Sequence, residues 1–132
     1  MATPADDIAT WLDAAPQNYG TVGTDLFVSR EPPAPDNTTT LRDVNGVEVP
    51  VLDTDQTFAD FGDVQLRIRN NSYSAGTTKM DTLKALVKTG TTFNQGGKTY
   101  TLIFRSGPAH LGADEDDREL LVINITAFYK TT

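Results

Sequence analysis

The chain has 132 residues, enough for one hydrophobic core and short for two. Apolar residues make up 38% and charged residues 22%, an ordinary globular balance, while eleven Lys and Arg against eighteen Asp and Glu give a net charge of −7. That sign argues against a protein that binds nucleic acid by neutralising phosphates, and the lack of cysteine excludes disulfides, thiolate zinc sites and thiol nucleophiles.

The N-terminal MATPADDIATWL has acids where a signal peptide needs basic residues, and no apolar run approaches a bilayer span, so an intracellular or virion setting without a membrane is expected. In TPADDIATWLDAAP, Thr3 can cap a helix, Pro4 suits its first position, and Asp6 and Asp7 oppose the positive end of its dipole. Ile8, Trp11, Leu12 and Ala15 share one face before Pro16 ends it. DLFVSREPP predicts a strand ended by Pro32 and Pro33.

From about 34 to 62 the pattern weakens. PDN offers turn chemistry, TTTLRDV a polar strand and Asn45-Gly46 a hairpin turn, and the region as a whole is expected to be an exposed excursion from a single domain spanning 1–132. In DVQLRIRNN, Val64, Leu66 and Ile68 point one way and Gln65, Arg67 and Arg69 the other, predicting a half-buried strand with a basic outer face. TKMDTLKALVK predicts a second helix, with Met80, Leu83, Leu86 and Val87 inward. FNQGGKTYTLIFRSG predicts a hairpin turning at Gly96-Gly97, and ELLVINITAFYK a long closing strand. The order predicts an α+β domain, a mostly antiparallel sheet with two helices packed on one face.

Candidate chemistry concentrates in GPAHLGADEDDREL, which holds the only histidine beside Asp114, Glu115, Asp116 and Asp117. Contiguous acids lack the alternate spacing of a calcium loop, so a solvated acidic tip offset by Arg118 is expected, with a divalent-cation-dependent binding module as the alternative. His110 could serve a small hydrolase as general base, but no nucleophile motif accompanies it. No catalytic residue, metal ligand or cofactor site is assigned. The basic strand face of Arg67 and Arg69, with Arg105 as a candidate third member, is the one cluster that could touch phosphate or an acidic partner surface, such as a neighbouring subunit.

Four stretches, DIATWL, LFVSREPPAPDN, VQLRIRNNSY and GPAHLGADEDDRELLVINITAFY, together resemble the minor capsid and tail terminator family of long-tailed phages. The resemblance implies a structural virion protein at the head-tail junction, not an enzyme. It implies a homo-hexameric ring that caps the tail tube, stops its polymerisation and joins the head connector, with genomic DNA passing an acidic pore unbound. Another head-tail completion protein or a tail-tube subunit is the neighbouring possibility. On this basis Arg67, Arg69 and Arg118 are expected as inter-subunit ion-pair donors, Asp114, Glu115, Asp116 and Asp117 as acceptors or lumen charges, and Pro32, Pro33, Asp36 and Asn37 as a shaped contact loop. Reversing Arg67 and Arg69 to Glu is expected to prevent ring formation while leaving the monomer folded. The segment 39–61 departs from the family pattern.

Overall fold

The computed structural model describes residues 3–47 and 59–131. In chain order they form α1 (Pro4–Asp13), β1 (Leu26–Val28), β2 (Thr38–Val47), β3 (Ala59–Asn70), α2 (Tyr73–Leu86), β4 (Thr91–Gln95), β5 (Lys98–Ala113) and β6 (Glu119–Thr131). The strands make one six-stranded sheet in the order β1-β2-β3-β6-β5-β4. Only β1 and β2 run parallel; every other neighbouring pair is antiparallel.

Helix α1 starts where its sequence says it should. The Thr3 hydroxyl accepts from the Asp6 amide and the Asp6 carboxylate accepts from the Thr3 amide, a reciprocal capping box. Its buried Ala5, Ile8, Ala9 and Leu12 join Met80 and Leu83 of α2 in one cluster with Leu41, Val64, Leu66, Ile68, Leu102, Ile123 and Ile125. Both helices therefore cover the same sheet face, as the sequence predicts. Each fully buried Leu or Ile contributes about 1.5–3 kcal/mol, so this face holds the fold together. A ladder of rings, Trp11 on Phe93, Phe93 on Tyr100 and Tyr100 beside Tyr129, ties α1 to the β4–β5–β6 side.

The β4–β5 turn falls at Gly96-Gly97, with φ of 61° and 76°, left-handed values that glycine adopts without penalty. A side chain at Gly96 would also place its Cβ 2.6 Å from the Asp7 carboxylate, so the tip of this hairpin lies directly on α1.

Three sequence expectations need correction. The region from 34 is not an exposed excursion throughout: Thr38–Val47 is an interior strand paired on both sides, and Thr38, Thr39, Thr40 and Leu41 are buried. Asn45-Gly46 does not turn; it lies within β2 opposite Asp63 and Gly62, after an irregularity at Asp43. The segment 48–58 lies outside the described residues. GPAHLG is not loop but the second half of β5, which continues along β6 with register shifts after Phe104, Ser106 and His110. The bulges let Gly107 and Pro108 ride in a strand that a regular ladder would not tolerate. In addition, α2 begins earlier than its apolar periodicity suggests, capped by the Ser72 hydroxyl accepting from the Ala75 amide.

Candidate functional site

The face opposite the helices carries the polar features that the sequence singles out. Residues alternate along each strand, so Thr38 and Thr40 of β2, Arg67 and Arg69 of β3, and Val122 of β6 lie side by side on this outer face. The segment 31–37 crosses over them. Arg69 Nη2 donates to the Pro35 carbonyl at 2.6 Å and Nε to the Asp36 carbonyl at 3.2 Å, while Nη1 lies 3.4 Å from Glu31. Arg67 Nε makes a 3.3 Å ion contact with the same carboxylate. Asn37 Oδ1 accepts from the Asn71 amide at 3.0 Å. The proline-rich segment is thus fastened as a roof, and the Thr38 and Thr40 hydroxyls beneath it are buried with no hydrogen-bond partner.

Arg118 links this roof to the β5–β6 turn. Its Nη1 donates to the Pro33 carbonyl at 2.7 Å and lies 3.5 Å from Asp36, its Nε donates to Asp114 at 2.8 Å, and its Nη2 donates to Asp116 at 3.2 Å. Asp114 also builds the turn, since Oδ1 accepts from the amides of Asp116 and Arg118, each at 2.9 Å. Asp117 takes φ of 58° to complete it. Glu115, Asp116 and Asp117 are left exposed at the tip.

The Arg118 amide, aided by the Asp116 amide and the Arg118 guanidinium, holds the Asp114 carboxyl below its ordinary value of 3.8. A depressed folded pKa means that the stabilisation is fully present above the ordinary value and is lost as pH falls through the lowered one. The backbone amide signals of Asp116 and Arg118 are therefore expected to keep their native NMR shifts at pH 5 and lose them only in stronger acid. In Asp114→Asn that acid transition should disappear.

The expected ion-pair donors are therefore committed within their own chain. Arg69 and Arg118 are buried, and the partners of Arg67, Arg69 and Arg118 are Glu31, Asp36, Asp114, Asp116 and proline carbonyls. The segment carrying Pro32, Pro33, Asp36 and Asn37 is held from below by Arg69, Arg118 and the Asn71 amide. Reversing Arg67 and Arg69 would put two carboxylates against Glu31 and the loop carbonyls, so that pair of substitutions disturbs the monomer itself.

His110 Nε2 donates to Glu119 at 2.6 Å and its ring meets Tyr73 edge-on. Among the described residues no serine, threonine or lysine is hydrogen-bonded to it, so the pair lacks the nucleophile of a hydrolytic relay. The acids of the turn diverge, with Asp114 turned back on its own loop, and no group of three or more metal-ligating side chains gathers among the described residues.

The model of a family described as bacteriophage tail terminator protein matches residues 15–131. The chain belongs to the bacteriophage tail terminator family. It is accordingly a structural component of a phage tail, carried in the virion. No curated protein matches it. The matched span covers the roof, the basic strand and the acidic turn, and begins just after α1.

A second part of the outer face, of which sequence reasoning picked out Arg105 but not Arg42 or Lys130, lies free of the roof. Beyond the roof, Arg42, Arg105 and Lys130 are exposed and have no ion-pair partner among the described residues. Beside them Val44 and Phe128 are 50% and 38% exposed, and Phe61 meets Phe128 with ring centroids 5.6 Å apart. The alternation in NITAFYK carries the signal, because it sets Phe128 and Lys130 opposite Ile125, Ala127 and Tyr129.

Proposed function

We propose that this tail terminator acts by assembly alone, forming a homo-hexameric ring that caps the tail tube, stops its polymerisation and presents the opposite surface to the head connector. Membership in the family sets the tail role. The observation that supports the ring is the acidic tip, held by Asp114 and Arg118 at the end of a rigid sheet and bound to a fastened proline loop. Such a pre-organised arm contacts a neighbour without first paying to order itself. Recognition by protein contacts needs no reaction step, and the His110–Glu119 pair has no part in it.

A net charge of −7 per subunit makes a closed ring repel phosphate, so genomic DNA passes through without sticking. The tube-capping claim is tested by letting the tail-tube protein of the same phage polymerise with and without this chain. Electron micrographs are expected to show shorter tubes that stop growing and carry a disc at one end. Continued growth at saturating chain would contradict capping, and incorporation of the chain along the tube would make it a tube subunit.

A further inference from the structure

The uncovered half of the outer face contrasts with the chain that carries it. Around Phe61 and Phe128 stand Arg42 on β2, Arg105 on β5 and Lys130 on β6, with Asp63 the one carboxylate described among them. Asp63 is already engaged, accepting from the Thr126 hydroxyl at 2.6 Å, and Thr126 in turn accepts from Arg105 Nε at 2.8 Å. That chain of bonds fixes the Arg105 stem and leaves its terminal nitrogens without a partner among the described residues. A cleft of about 410 Å³ opens here between Val44, Phe61, Asp63, Arg105 and Asn124. A cationic rim around an apolar floor, on a chain of net charge −7, calls for an acidic partner surface.

The same chain supplies one. Glu115 and Asp117 are exposed and have no ion-pair partner among the described residues. They sit at the opposite end of β6 from Phe128. Nine residues of strand separate Glu119 from Phe128, about 30 Å, so the two features cannot meet within one chain. Head-to-tail packing places the acidic turn of one subunit on the cationic face of the next.

We propose that the Arg42, Arg105, Lys130 and Phe128 face receives the Glu115–Asp117 turn of a second copy of this chain, forming the repeated contact of the ring. This assignment rests on the ring reading above and names the surfaces that close it.

Charge exchange tests it, read by sedimentation velocity of the full chain, alone and with the tail-tube protein. Arg42→Glu with Lys130→Glu alters two side chains that hold nothing else among the described residues, so the monomer folds. On the turn, Glu115→Lys with Asp117→Asn replaces two negative charges with one positive charge and keeps at 117 a residue that tolerates the left-handed backbone. Each pair alone is expected to weaken assembly at least tenfold. Both pairs in one chain restore complementarity at every contact and should recover assembly to within a few-fold of wild type. A wild-type ring that tolerates the face reversal, or a combined variant no better than either pair, overturns the interface alone. A wild-type chain that stays monomeric overturns the ring and this contact with it.

Discussion

Arg69→Ala is expected to lower the free energy of unfolding by about 3 kcal/mol, the range for removing one partner from a buried, hydrogen-bonded charge pair. Arg69 is 2% exposed, and its guanidinium bridges the carbonyls of Pro35 and Asp36 and the carboxylate of Glu31. Truncation leaves all three acceptors without their donor over a strand face where two threonine hydroxyls already lack partners. Arg69→Lys should recover less than half of the loss, because one ammonium cannot reproduce the fork that reaches all three. Arg67 has a 28% exposed side chain and makes one ion contact, so Arg67→Ala is expected to cost below about 1 kcal/mol. Urea unfolding followed by circular dichroism measures the set. Equal losses at positions 67 and 69 would contradict the clamp.

The second large effect lies at the junction of α1 with the β4–β5 hairpin. Asp7 is 4% exposed, accepts from the Tyr100 hydroxyl and lies 3.6 Å from the Lys98 ammonium. Burial, more than the carboxylate beside it, pushes the Tyr100 phenol far above its usual range, so the hydroxyl stays protonated and donates. Asp7→Ala is expected to cost about 3 kcal/mol, since it leaves a buried hydroxyl without its acceptor and takes the carboxylate from Lys98. Tyr100→Phe alone should cost about 1.5 kcal/mol, and close to nothing once Asp7 is gone. That double-mutant cycle, measured by thermal unfolding, isolates the bond. Additive losses would show that Tyr100 and Asp7 act separately. The family match begins at residue 15, yet this bond and the Trp11–Phe93 stack make α1 part of the core.

What the sequence showed plainly was what short-range bonds decide. The Thr3–Asp6 capping box, the Gly96-Gly97 turn and the alternation of Val64, Leu66 and Ile68 each need only a few neighbouring residues. Thr38 to Thr40 misled because threonine is polar in composition and β-prone in shape. Thr38 and Thr40 are buried under a roof held by Arg69, some thirty positions further on, whereas Thr39 faces the core and meets the Tyr19 hydroxyl at 2.7 Å. Gly107-Pro108 reads locally as a turn, and only pairing with β6 through irregular register carries the strand past it. Arg67, Arg69 and Arg105 share one alternating pattern. Whether each is committed or free depends on where the segment 31–37 crosses the outer face, a tertiary fact no spacing encodes. Hence the acidic turn is legible as a tip, while of the exposed cations only Arg105 stands out in the sequence and Arg42 and Lys130 do not.

The proposed assembly rests on the same division of the outer face. In the roofed half the arginines are committed to the segment 31–37, and the uncovered half keeps exposed cations and aromatic rings beside a cleft. In the proposed ring, that surface on an acidic chain takes the acidic turn of a neighbour. Native mass spectrometry of the wild-type chain, alone and mixed with the tail-tube protein, tests this most directly. The account predicts one discrete closed oligomer with the mass of six subunits, without higher multiples; a chain that remains monomeric in both conditions at high concentration would contradict it.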